Sequence, residues 1–365
     1  MRIFGAKVLI FAAKVGAVWE KRRNFALAIS VGVAPSVAVV LNIRYTIMLH
    51  ILSQMLLLFG VIMIGFGSSK AGAWPSTLNK PISTFVLKVT APMLILSSVM
   101  GDGLVFERDE IVRILWVAVV NYLVIFPLAL LVPWVWTAVG RRVKHDGRPS
   151  MESYLEGQLR FMTAFGNVTF IGFPVVSAIF GPRALFYAAV LTIPFNLLMY
   201  TIGEVFIAGG NPAGAIKRKH LLSPCTVAAA MTVVLAFFKI DYPPLVVRFF
   251  HLVGDMTIPA ALIIIGSTLA GMPKRAMLGS WFAYRVSAIR LVLVPAVVWL
   301  VLWLLGTESY TMQVAVVLSG MPVGVNGVMF CLKYGKDERL MAQTIFLSTA
   351  LSMLTIPLLA MLVAA

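Results

Sequence analysis

The chain has 365 residues, of which 60% are apolar and only 12% charged, and its mean hydropathy is +0.96. Soluble domains carry about 45–50% apolar and about 25% charged residues, so a soluble enzyme, a disordered chain and a collagen-like chain are all excluded. The formal charge of +16 does not point to nucleic acid, because the basic residues form short clusters between apolar runs and not one patch or stripe.

At about 20 residues per membrane-crossing helix, the apolar runs predict ten spans. In chain order they lie near 49–67, 82–100, 113–138, 159–180, 184–208, 221–238, 244–272, 283–305, 310–332 and 339–363. The longest connection is the basic stretch 139–158, and no segment is long enough for a soluble domain. Tryptophans such as Trp74, Trp134, Trp281 and Trp303 sit near span ends, where amphipathic rings favour the membrane interface. Cys225 and Cys331 lie inside apolar runs at a spacing that builds neither a metal site nor a disulfide framework. They read as small buried side chains.

Fifteen Lys and Arg flank one set of alternate connections, from Lys70 to Arg339. The other set holds four, Arg108, Arg183, Lys239 and Arg248. This bias places the richer set in the cytoplasm and both ends of the ten-span core outside it. Clusters such as Arg141-Arg142 and Lys217-Arg218-Lys219 then face anionic lipid head groups. Residues 1–47, with seven basic residues, fit this orientation badly. They read as an eleventh span, a targeting segment or an upstream extension ahead of a start at Met48. The transporter domain is expected over 48–365.

An odd number of spans in each half makes the second half run upside down relative to the first, the inverted-repeat plan of many secondary transporters. The division predicts repeat one over 48–208 and repeat two over 221–365. Thr90-Ala91-Pro92 in the second span is echoed by Thr257-Ile258-Pro259 in the seventh. The fourth span carries Gly166-Asn167 with Gly172 and Pro174 a few residues on, and the ninth carries Gly320-Met321-Pro322-Val323-Gly324-Val325-Asn326. Glycine and proline interrupt the helical ladder and free backbone groups. At membrane depth such groups must face protein, water or a ligand. Paired interrupted spans in corresponding positions mark a binding site. The expected site therefore holds Gly166, Asn167, Pro322, Gly324 and Asn326.

At these residues the chain resembles the auxin efflux carrier family. The likeness covers essentially all of 48–365. It rests on Asn167-Val168-Thr169-Phe170-Ile171-Gly172-Phe173-Pro174, on Phe195-Asn196-Leu197-Leu198-Met199-Tyr200-Thr201, on Met321 to Asn326, and on Leu347-Ser348-Thr349-Ala350-Leu351-Ser352. The resemblance implies an all-α membrane fold of ten helices in two inverted five-helix repeats, with broken helices four and nine crossing beside the substrate. It adds Thr169 to the site and implies small organic anions, such as auxin-like acids, malate or malonate, moved by an elevator-like change. Without the long hydrophilic central loop of long plant members, the chain is similar to bacterial members of an inner membrane. It departs from the plant pattern at Gly166, where that pattern has proline.

Ionisable residues inside spans are functional candidates by default. Lys88, two turns into the second span, either draws an organic anion into the site or snorkels to the interface along its four-carbon stem. His251 and Asp255, four residues apart on one helix face, form either a proton-carrying pair or a hydrogen-bonded brace. Arg285 and Arg290 read as snorkelling side chains and Glu204 as interfacial. No catalytic constellation, metal site or cofactor motif emerges. The reading is a secondary carrier of small organic anions and not an enzyme. Its partners are substrate and lipid, not nucleic acid, and a homodimer is compatible with it. A sodium-coupled bile-acid-type symporter and a transport-inactive receptor or scaffold are the alternatives.

Overall fold

The computed structural model describes residues 35–100, 106–141, 151–209, 223–240, 242–271 and 280–364. Residues 1–34 and the cluster Lys217-Arg218-Lys219 lie outside that set. The described chain is all-helical. Helix α1 (Pro35–Lys70) runs unbroken through Met48, so the first span and the residues just before it form one rod. The second apolar run is α2 (Asn79–Phe85), a π-turn at Val86–Thr90 and α3 (Ala91–Ser97). The third is α4 (Arg108–Arg141). The fourth divides into α5 (Met151–Ala164), a break at residues 165–167, a π-turn at Val168–Gly172 and α6 (Phe173–Phe180). The fifth is α7 (Arg183–Leu198), a π-turn at Met199–Gly203 and α8 (Glu204–Ala208).

The second half follows with α9 (Pro224–Phe238), then α10 (Pro244–Gly254) and α11 (Thr257–Ala270). The eighth apolar run is α12 (Trp281–Ala288), a π-turn at Ile289–Leu293 and α13 (Val294–Leu304). The ninth is α14 (Ser309–Ser319), a break at residues 320–325 and α15 (Asn326–Lys333). Helix α16 (Arg339–Ala364) closes the chain. Among the described residues six helices are long and apolar enough to cross a membrane, and two shorter apolar helices, Val168–Phe180 and Pro224–Phe238, accompany them. The protein is a multi-pass membrane protein.

Proline accounts for three of the four π-turns. Each of Pro92, Pro174 and Pro295 is the second residue of the α-helix that follows a π-turn. A proline ring crowds the carbonyl four residues earlier and offers no N–H in return. Those carbonyls, on Lys88, Phe170 and Leu291, all fall within the widened turns, which make room for the ring.

Helix α1 packs against α11, while α9 and α10 pack against α3. Helix α4 lies against α5 and α7, α13 against α14, and α12 against α16. The α1–α11 contact is backbone on backbone. A Cβ on Gly266 would stand 1.9 Å from the Ile62 carbonyl oxygen, and one on Gly65 would stand 2.3 Å from that of Ile263. Small residues permit such close helix crossings where lipid offers no hydrophobic drive to associate. Around the end of α5, the rings of Phe161, Phe165, Phe195 and Phe330 pack at centroid distances of 5.1–5.8 Å, which holds the first break in place.

Candidate substrate site at the paired helix breaks

The two breaks meet. The Asn167 N–H donates to the Pro322 carbonyl at 2.7 Å, and the Gly324 N–H donates to the Phe165 carbonyl at 3.0 Å. Together they form one antiparallel bridge between Gly166 and Val323. Each break thus satisfies backbone groups the other has freed, which is how irregular backbone survives away from water. The Val323 N–H finds the Ser348 hydroxyl at 3.1 Å. Gly324 has a steric reason as well, since a Cβ there would stand 3.1 Å from the Gly166 carbonyl oxygen.

A cavity of about 210 Å³ opens beside this bridge. The first break supplies Gly166, Asn167 and Thr169, and the second supplies Gly324 and Asn326. The second apolar run contributes Thr84 and Lys88, and α7 with its π-turn contributes Asn196 and Tyr200. Ser223 and Cys225 close it at the start of α9. Among the described lining residues one side chain is charged, Lys88, and none is a carboxylate. The rest of the wall is apolar, including Leu87, Val168, Phe170, Phe195, Met199 and Val325.

The asparagines have capacity to spare. Asn167 and Asn196 are buried, yet neither side-chain amide bonds another described residue. Asn326 donates from Nδ2 only to the Met199 sulfur at 3.1 Å, a weak acceptor. A primary amide carries two donors and one strong acceptor, so these three side chains line the cavity with unspent hydrogen bonds. Both downstream helices also begin here, at Val168 and Asn326. Their first N–H groups have no partner within the helix and carry the positive end of its dipole. The cavity is polarised toward an anion.

Of the residues expected from sequence, the fold brings Lys88, Gly166, Asn167, Thr169, Gly324 and Asn326 around this one cavity. Pro322 is buried beneath the bridge and takes part through its carbonyl. His251 and Asp255 lie apart from the cavity, at the joint between α10 and α11. The His251 Nδ1 stands 4.0 Å from the Asp255 carboxylate, and the two side chains are 40% and 71% exposed. The His251 Nε2 lies 3.0 Å from the Met100 carbonyl; since a carbonyl only accepts, that nitrogen carries the proton.

One side chain differs from expectation, and another gains partners distant in sequence. Arg290 does not snorkel: it is 1% exposed and lies against the crossing. Its Nε donates to the Met321 carbonyl at 2.9 Å, and its Nη1 to the carbonyls of Thr163 at 2.9 Å and Ala164 at 3.4 Å. It also explains Gly166, because a Cβ there would stand 2.2 Å from the Arg290 Nη2. Glu204, read from sequence as interfacial, has protein partners that the sequence does not show. It is 1% exposed and accepts from the Lys333 ammonium and the Tyr334 hydroxyl, both at 2.6 Å, which ties α8 to the end of α15. Arg285, by contrast, is exposed, and its guanidinium lies over the Trp281 ring at 5.4 Å. Asn196 was legible only as part of a family motif.

The fold and the site define a helical membrane protein with a cavity, lined by amides and one cation among apolar side chains, at paired helix breaks. The chain belongs to the auxin efflux carrier family of membrane transport proteins, whose profile, described as "Membrane transport protein", matches residues 50–360. An uncharacterized transporter of Methanocaldococcus jannaschii is 22% identical over 304 residues, covering 82% of this chain and 94% of its own. A Rhizobium meliloti protein named "Putative malonate transporter" is 24% identical over 320 residues, covering 85% of this chain and 94% of its own. An uncharacterized transporter of Methanothermobacter thermautotrophicus is 26% identical over 215 residues, covering 58% and 69%.

Proposed function

We propose that this protein is a secondary carrier that binds a small organic anion at the crossing of its two broken helices and moves it across the bacterial inner membrane. The observation that carries the reading is the cavity itself, where unspent amides, two helix N-termini and the Lys88 cation converge with no opposing carboxylate among the described residues. Neutral amides hold a carboxylate at membrane depth without the desolvation cost of a deeply buried cation. Ten spans in two inverted repeats, with an elevator-like or rocking change between bodies, are the architecture this reading assigns. The relative named for malonate makes that dianion the first probe, with malate and an aromatic monocarboxylate beside it. Saturable binding to purified protein together with uptake into liposomes supports the carrier. Binding without uptake favours a receptor, and neither result with any of the three acids removes the anion reading.

In this reading Lys88, exposed and without a carboxylate partner among the described residues, draws the anion in. Lys88→Gln should weaken malonate binding about tenfold, the loss of one charge-assisted hydrogen bond, with expression unchanged. Unchanged affinity returns Lys88 to an interfacial role. His251 and Asp255 are proposed as a proton-carrying pair, and transport indifferent to an imposed pH gradient removes that role. The orientation has its own test. Single cysteines at Glu308 and Lys336 should react with an impermeant reagent from opposite faces of the membrane, and reaction from one face defeats the ten-span arrangement.

A further inference from the structure

The crossing has a second side, and its chemistry is the reverse of the cavity's. Two half-helices end there: α5 at Ala164 and α14 at Ser319. Helix C-termini present unpaired carbonyls and the negative end of the dipole. In transporters with broken helices, such ends together with unwound carbonyls are where a coupling cation is held. Here the place is filled from within the chain. The Arg290 guanidinium donates to Thr163 and Ala164 at the end of α5 and to Met321 just past the end of α14. No described acidic side chain pairs with Arg290, so carbonyls alone offset its charge. A lone cation at this depth is expensive, and the bond pattern says what it is for.

We infer that Arg290 is a tethered substitute for a coupling cation: it locks the two breaks together permanently, so the neighbouring cavity takes its anion without any dissolved sodium. Arg290 is a positioning residue in this scheme. It touches the backbone of both breaks, and the shape of those breaks sets where Asn167 and Asn326 stand. The inference rests on the anion-carrier reading for its binding consequence, but not for its consequence for stability.

The test has a binding arm and a stability arm, both on the full chain purified in nanodiscs. Wild-type Tm and malonate affinity should be the same in sodium chloride and in choline chloride. Arg290→Ala should lower Tm in choline, and low guanidinium chloride should restore much of the loss while leaving wild type unmoved, because free guanidinium re-enters the vacated carbonyl site. Malonate binding by the variant should fall by about tenfold or more and recover with the same additive. Sodium that raises wild-type Tm or affinity overturns the inference, and this arm stands even if the alanine variant cannot be purified. An Arg290→Ala protein as stable as wild type in choline, with no response to guanidinium, overturns it as well. Malonate that fails to bind wild type strikes at the substrate, while the Tm comparisons still decide the role of Arg290.

Discussion

Alanine at Asn167 or at Asn326 should weaken malonate binding about ten- to a hundredfold while leaving the folded protein intact. A hydrogen bond to a charged acceptor is worth about 1.5–3 kcal/mol, and each 1.4 kcal/mol is a factor of about ten in affinity. Folding should tolerate both changes. The Asn167 amide bonds no other described residue, and the Asn326 amide reaches only a thioether. The backbone bridge between the breaks uses the Asn167 N–H and not its side chain. Asn196→Ala should behave alike, since its buried amide faces the same cavity. The control must be chosen with care. Asn121 looks equivalent in sequence, but it lines a small buried chamber with Arg290, and its Oδ1 has no partner among the described groups. Gln313, whose amide reaches only Ser309 in the first turn of α14, does not line the cavity. Isothermal titration of the variants against Gln313→Ala and wild type is the measurement. Wild-type affinity in both Asn167→Ala and Asn326→Ala would place the anion elsewhere and leave the asparagines to helix packing.

The membrane class and the position of the breaks were legible in the sequence because they depend on local properties. An apolar run announces a span by its length, and Gly, Pro and Asn within it announce an interruption whatever surrounds them. Depth and facing are different matters. Arg285 and Arg290 are five residues apart on one apolar run, and at about 100° per residue they point well away from each other. Nothing in the run says which direction is lipid and which is protein. Arg285 meets Trp281 at the surface, while Arg290 meets carbonyls 31 and 127 residues away in sequence. The ion pair of Glu204 was hidden for the same reason, its partner Lys333 being 129 residues off. Asn196 illustrates a third limit. Its place in a motif was visible, but its unspent amide is a property of the cavity formed by α7 and both breaks.

Gly166→Ala should be among the most damaging single-atom additions in the protein. The new Cβ would stand 2.2 Å from the Arg290 Nη2, 3.0 Å from its Cζ and 3.1 Å from the Met321 carbonyl oxygen. A flexible side chain usually yields to such a contact at small cost, but this one is pinned. Moving the guanidinium away from Gly166 strains its bonds to Met321, Thr163 and Ala164 and leaves a buried cation short of acceptors, at about 1.5–3 kcal/mol for each bond lost. Gly324→Ala meets the Gly166 carbonyl only at 3.1 Å and should cost less. The ranking can be read as Tm in nanodiscs, and the cause can be isolated by a double-mutant cycle. With Arg290 already cut to alanine, the Gly166 methyl group enters space the guanidinium has left, so the second substitution should add little further loss. If Gly166→Ala costs as much in the Arg290→Ala background as in wild type, the clash is with the backbone of the second break. Glycine at 166 would then serve the close approach of the two broken helices and not the arginine between them.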